Sequence, residues 1–416
     1  MPLTTALPAH ADASSQWPLQ YLKSSQVWNI TKGTGATVAV IDTGVAATAD
    51  TRSALESGAD FTGGTTSSGN GQNDTDGHGT SMAALIIGSG GVVDGFAPGS
   101  ELLPVRATIG EGMTPDSLAA AIQYAVSQRV SVISISLRVV SQDSTLEAAI
   151  KDAVNANTVV IAAAGDEAQS TVDYPAAYPG VLAVGAVDQN GSAWSSSNTG
   201  PQLALMAPGV AVPTEDNFGS AGTTTGTSAS TAYVSATAAL IRATHPSWTA
   251  GQVIRDLIAT ADPASGMTAG QHSDQYGYGT IDPLKALEAS APADTSNPLL
   301  TSATNTASAT ATTEATGPGN TDTASSSSSS TGLIIGIVAA VIAAIAIIVL
   351  IIVLNRRNRN RPGGPGSGGS GGGGVYGGPA SYGQQQQQNP YHQQQPLQSP
   401  YYGPPQGQQP PWPPNS

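Results

Sequence analysis

Apolar residues in the first two thirds of the chain come in short unbroken runs. Gly35-Ala-Thr-Val-Ala-Val-Ile-Asp-Thr-Gly44 is rich in β-branched side chains and ends at an acid and a glycine. Such a run predicts a strand buried on both faces of a parallel sheet, with Asp42 at its carboxyl end. Similar runs predict strands at Leu102–Ala107, Val130–Leu137, Val159–Ala163 and Val181–Val187. Between them lie helical stretches: Asp76–Ile87 after a Gly/Ser/Asn/Asp loop, Pro115–Gln128, Ser144–Asn155, Ser228–Thr244, and one starting near Trp248. Trp17–Leu22 with Val27 and Trp28 predicts a short amphipathic segment packed on the body. Strands separated by helices of this length predict an α/β fold of three layers, its mostly parallel central sheet covered on both sides.

The pattern stops near residue 290. Residues 291–332 are Thr, Ser, Ala, Asn and Pro with almost no large apolar side chain, a stalk that cannot bury a core. Leu333–Leu354 is an uncharged apolar run, roughly 33 Å long as a helix against a hydrocarbon core of about 30 Å. It predicts a single transmembrane helix. Arg356, Arg357, Arg359 and Arg361 follow it, which by the positive-inside rule puts the C-terminus in the cytoplasm and the large domain outside the cell. Residues 355–416, rich in Gly and then in Gln, Pro and Tyr, are expected to be disordered. That orientation requires export, so the small residues of 1–14 are expected to be the remnant of a signal or leader. Residues 15–290 are left as one domain, large enough for a full core.

Charge and cysteine content narrow the function. The net charge is −14, and of 14 basic residues four follow Asn355 with no acid, so ten face 28 acidic ones before it. An acidic body lacks the lysine and arginine that phosphate contacts need, which excludes nucleic acid as the partner. With no cysteine there are no disulfides, thiolate metal sites or cysteine nucleophile.

The chemistry centres on Gly222–Ile241, where a Gly/Thr loop turns into a run of small and apolar residues with Ser228 at the changeover. A hydroxyl there sits beside unpaired helix N–H groups, which suits a nucleophile whose reaction generates an oxyanion; it also suits a plain N-cap serine. A nucleophile needs a base. Of the five histidines, His10 lies in the leader, His392 in the tail, His245 before a proline and His272 in a polar loop; only His78 stands between glycines at a strand-to-helix loop. Asp42 is the acid best placed to fix its tautomer. Asp-Thr-Gly alone would equally suit an aspartic peptidase, but the order Asp42, His78, Ser228 is one of the convergent orders of the serine triad.

Val38-Ala-Val-Ile-Asp-Thr-Gly44, Asp76-Gly-His-Gly-Thr80 and Gly226-Thr-Ser-Ala229 resemble the three signature blocks of the subtilisin-like serine peptidases. The likeness continues through Gly95-Phe-Ala-Pro, Tyr174–Val187, Met206-Ala-Pro-Gly, His245-Pro-Ser-Trp-Thr and Tyr278-Gly-Thr-Ile-Asp, over about residues 15–290. The layout of short extension, stalk, single span and basic stop resembles mycosins, membrane-anchored subtilases associated with type VII secretion, although mycosins usually carry disulfides. The resemblance implies a subtilisin-like fold and peptide-bond hydrolysis through an acyl-enzyme. In it Ser228 attacks, His78 shuttles the proton and Asp42 orients the imidazole. A protein or peptide is the substrate, and a secretion system the expected partner. No cofactor is implied. Calcium sites are common in the family, but no acidic cluster here has oxygen-ligand spacing, and metal is left unassigned.

Two departures bear on activity. Where the family's oxyanion block ends in Gly-Asn, this chain has Gly165-Asp166. An ionised carboxylate would repel the developing oxyanion, and only a protonated Asp166 could donate to it, which predicts a pH optimum on the acid side of neutral. Where the family has Ser-Leu-Gly-Gly, the chain has Ser136-Leu137-Arg138-Val139, assigned here to substrate binding. Arg138 and Val139 are expected to narrow the primary pocket, with Arg138 either favouring an acidic or polar substrate group or turned to solvent. These departures also suit a second reading, a catalytically impaired subtilase that binds peptides or braces a secretion complex.

Overall fold

The computed structural model describes residues 16–110 and 113–300. Its centre is a seven-stranded sheet built from β1 (Thr37–Asp42), β2 (Ala59–Asp60), β3 (Glu101–Arg106), β4 (Val132–Ile135), β5 (Val159–Ala163), β6 (Leu182–Val187) and β7 (Leu203–Pro208). The spatial order is β2-β3-β1-β4-β5-β6-β7, and every neighbouring pair is parallel.

Both faces of the sheet are buried, which is why its strands read as unbroken apolar runs. Successive side chains along a strand point to opposite faces. Val38 and Val40 of β1 join the core under helices α3 (His78–Ile87) and α6 (Thr227–Thr244), while Ala39 and Ile41 join the one under α4 (Pro115–Ser127) and α5 (Ser144–Asn155). β4 and β5 divide likewise: Val132, Val159 and Ile161 face α3 and α6, Ile133, Val160 and Ala162 the other pair. Burying each larger side chain stabilises by roughly 1.5–3 kcal/mol. Helices α1 (Trp17–Tyr21), α2 (Ser24–Ile30), α7 (Ala250–Thr260) and α8 (Pro283–Glu288) extend the layer on the α6 side.

After β1 the chain builds β2 and β3 on one flank, then returns to place β4 on the other. β1 is therefore the point where strand order reverses, and a crevice opens beyond the carboxyl ends of strands at such a point. Asp42 is its last residue.

Some elements differ from the sequence expectation. The strand expected over 130–137 is regular only at Val132–Ile135, because the chain beyond it leaves the sheet to line a cleft. The Gly/Thr segment before Ser228, expected as loop, contains β9 (Ala221–Thr224), which pairs antiparallel with β8 (Val212–Glu215). β9 is largely exposed and has no apolar face to betray it. β7 and α8 were not anticipated either. Residues 291–300, assigned to the stalk, stay on the domain: Leu299 is buried, Thr295 O accepts from Thr249 Oγ1 and Asn297 Nδ2 donates to Gly180 O. Among the described residues no helix is long and apolar enough to cross a membrane. The expected leader 1–14, the stalk from 301, the Leu333–Leu354 span and the 355–416 tail lie outside the described residues.

Candidate active site

Asp42 is fully buried at the end of β1, and its Oδ1 accepts from Thr43 N at 2.8 Å. The same oxygen lies 2.7 Å from His78 Nδ1. His78 opens α3, and the helix start is fastened to the strand end by Asp74. Asp74 Oδ1 accepts from Thr43 Oγ1 and from the N–H groups of Asp76 and Gly77, while its Oδ2 accepts from both Thr80 N and Thr80 Oγ1. Gly79 N donates to Thr43 Oγ1 at 2.9 Å and completes the joint. The imidazole is thus placed from both sides.

Burial pushes the His78 imidazolium down, but the Asp42 charge and hydrogen bond, with Asp76 and Asp74 adding to them, outweigh it and raise the pKa to about 9. This shift favours the protonated ring and opposes the acid-side optimum expected from Asp166.

Ser228 is the second residue of α6, whose N-cap is Gly226. Its hydroxyl donates to Ser136 O at 3.2 Å, and Ser136 Oγ donates back to Ser228 O at 3.2 Å. The bond that holds Ser228 Oγ is thus to Ser136 O. Thr43, His78, Ser136, Arg138, Asp166 and Ser228 nonetheless line one cleft of about 550 Å³.

Asp166 supplies the cap that Gly226 cannot. Its Oδ1 accepts from Thr227 N at 2.8 Å and from Thr227 Oγ1 at 2.7 Å, so a carboxylate sits on the positive end of α6. Thr227 Oγ1 also accepts from Gly165 N, at 3.2 Å, which fixes the turn that presents Asp166. Gly165 has φ +109°, and a Cβ there would overlap Asn198 Nδ2, so only glycine serves.

Arg138 spans the cleft. Its guanidinium meets Glu167 Oε1 at 2.9 Å and approaches Asp173 Oδ2 at 3.7 Å. Two carboxylates answer its charge, while the side chain stays half exposed. Val139 is buried and its N–H donates to Tyr174 O at 2.9 Å. Leu137 lines the cleft between them. Burial and then the Glu167 charge raise Asp173 to about 6, with Arg138 opposing.

A model described as the subtilase family matches residues 33–279. The chain belongs to the subtilase family. It is 38% identical over 250 residues to a thermostable alkaline protease of Halalkalibacterium halodurans, spanning 59% of this chain and 67% of that protein. Among solved structures it resembles MycP1 from Mycobacterium smegmatis, with a TM-score of 0.59 at 31% identity over 67% of this chain and 85% of that one. It also resembles the MycP3 protease of the type VII (ESX-3) secretion system, with a TM-score of 0.57 at 32% identity over 65% of this chain and 87% of that one. This subtilase is accordingly a serine endopeptidase of subtilisin-like fold with mycosin neighbours.

The other described histidines of the subtilase domain lie elsewhere: His245 stacks on Trp248 with rings 4.0 Å apart, and His272 Nε2 meets Leu203 O. Sequence reasoning missed Asp74, Glu167 and Asp173. An acid shortly before a helix start was the available signal for Asp74; the other two gain meaning only from what folding puts opposite them. Among the described residues no group of three or more His, Cys, Asp or Glu could hold a metal ion.

Proposed function

We propose that this subtilase is a membrane-anchored endopeptidase of restricted specificity, held outside the cell by one helix, and that Asp42, His78 and Ser228 are its catalytic triad. The observation that carries the triad is the 2.7 Å contact of His78 Nδ1 with Asp42 Oδ1 in a cleft that Ser228 also lines. With Nδ1–H given to Asp42, Nε2 is the base. Ser228 Oγ leaves Ser136 O, attacks the scissile carbonyl and passes its proton to His78 Nε2. The resulting oxyanion lies near the first-turn N–H groups of α6, which lack intrahelical partners. His78 then protonates the departing amine, leaving an ester on Ser228. Water, deprotonated by the same imidazole, hydrolyses that ester and restores the hydroxyl.

The anchor reading rests on the Leu333–Leu354 run and the arginines after it, and the secretion-system partner on the mycosin neighbours. Substrates would be exported proteins, with a secretion system as the working partner. The test is fluorophosphonate labelling of the 416-residue chain in detergent. A Ser228 adduct lost in Ser228→Ala supports the reading. An unlabelled, folded chain rejects it and leaves the impaired scaffold.

A further inference from the structure

The two walls of the cleft beside Ser228 are joined at their far end. One wall is Ser136–Val139, which leaves β4 and carries the carbonyl that holds the Ser228 hydroxyl. The other is the turn after β5, Gly165–Glu167, from which the chain runs on to Tyr174. Two connections cross between them. Val139 N donates to Tyr174 O as an isolated antiparallel bridge, and Arg138 reaches over it to Glu167 at 2.9 Å and Asp173 at 3.7 Å. Glu167 is itself held in place: its N–H donates to Asn198 Oδ1, and its Oε2 accepts from Asn198 Nδ2 at 3.2 Å, with Asn198 fully buried. Arg138 therefore bonds to a fixed anchor. Its side chain occupies space where a glycine would leave a hole, and two residues along an extended chain separate it from Ser136 by only about 7 Å.

We propose that Arg138, pinned by Glu167 and Asp173, is a bar that shortens the primary pocket, so that the residue on the acyl side of the cleaved bond must be small: glycine, alanine or serine. This rests on the proposed catalytic role of Ser228 and adds to it the substrate class. A long apolar side chain would have to displace the guanidinium from Glu167 Oε1 and from beside Asp173, leaving Glu167 only the bonds to its Oε2. A long acid would add a third negative charge beside Glu167 and Asp173, and a long base would have to compete with Arg138 for the same two carboxylates. Small side chains stop short of all three.

The test uses the 416-residue chain and quenched peptides differing only at that residue. Alanine and serine are expected to be cleaved best, with leucine and phenylalanine lower in kcat/KM by about a hundredfold. In Arg138→Ala the phenylalanine-to-alanine ratio rises at least about tenfold. Glu167→Gln with Asp173→Asn keeps the arginine but frees it, and moves the ratio the same way. That double variant carries the readout if Arg138→Ala fails to fold. Wild-type cleavage of leucine, phenylalanine, lysine or glutamate peptides as fast as alanine overturns the bar. So does an unmoved ratio in a variant whose Ser228 still takes the fluorophosphonate, and so does a labelled enzyme that cleaves none of the set. Absence of both cleavage and labelling instead removes the peptidase reading beneath it.

Discussion

The Asp166 carboxylate caps the helix that carries Ser228, receiving both the N–H and the hydroxyl of Thr227 on one oxygen, Oδ1, at 2.8 and 2.7 Å. Oδ1 is thereby committed, while Oδ2 lies nearest the place a Cβ would take on Gly226, and Asp166 lines the same cleft as Ser228. Asparagine would keep the accepting oxygen and put an N–H donor where Oδ2 lies.

Asp166→Asn is therefore expected to raise kcat at neutral pH, by as much as the roughly hundred- to thousandfold that one oxyanion donor is worth. Asp166→Ala loses the cap as well and should cost about 1 kcal/mol of stability. Peptide turnover and thermal melting of the two variants separate the roles. A slower Asp166→Asn enzyme would show that the carboxylate does not face the oxyanion.

The His78 pKa of about 9 fixes the sign of the pH response. The base must be neutral, so kcat/KM should climb with pH through an apparent pKa well above the usual 6.5 of imidazole. Asp76 is one cause of the rise, and Asp76→Asn should move that limb to lower pH. For stability the sign is opposite. A raised histidine pKa contributes stability that is fully present below about 6.5 and is lost as pH rises through about 9. Activity and melting temperature should accordingly run in opposite directions over that window. A rate profile centred near 6.5 would contradict the assignment.

Much of this was legible beforehand because the strands are buried on both sides. β1 reads as an apolar run that ends in an acid, and the glycines around His78 mark a tight strand-to-helix joint. Ser228 was legible from the change from Gly/Thr to Ala-rich sequence. What stayed hidden depends on partners distant in the chain. β9 is polar and exposed on a hairpin, so neither periodicity nor burial announces it. The partners of Arg138 stayed hidden because Glu167 and Asp173 come from the chain after β5, and the cap that Asp166 sets on Thr227 stayed hidden because that contact is tertiary. Residues 291–300 look like stalk by composition, yet backbone carbonyls and Leu299 tie them to the domain.

Arg106 connects sheet and site. It is buried at the end of β3, with Nε on Thr43 O at 3.1 Å, Nη1 on Asp60 Oδ2 at 3.1 Å and Nη2 on Thr75 Oγ1 at 3.2 Å. One side chain thus ties the residue after Asp42 to the loop that leads into His78. Arg106→Met leaves Asp60 with the N–H and hydroxyl of Thr62 on Oδ1 but no cation on Oδ2, and should destabilise by about 1–3 kcal/mol in urea unfolding. Arg106→Met with Asp60→Asn should recover much of that loss, because no unanswered charge remains. Failure of the second change to rescue would mean that the bonds to Thr43 and Thr75 matter more than the ion pair.

Gly79 sets how closely α3 approaches β1. A Cβ at this position would overlap the Gly44 carbonyl oxygen and lie 3.0 Å from Asp42 Cβ. Either the helix start or the strand end must then shift, and His78 and Asp42 sit on the two sides of that gap. Overpacking of this kind costs about 1–3 kcal/mol. A displacement near 1 Å between the base and its orienting acid should cost about a hundredfold in kcat. Gly79→Ala is thus expected to yield a protein that still melts cooperatively but turns over peptide far more slowly, with KM changed less than kcat. If kcat fell only as far as the folded fraction fell, the close approach at Gly79 would matter for stability alone, and the alignment of His78 with Asp42 would tolerate the shift.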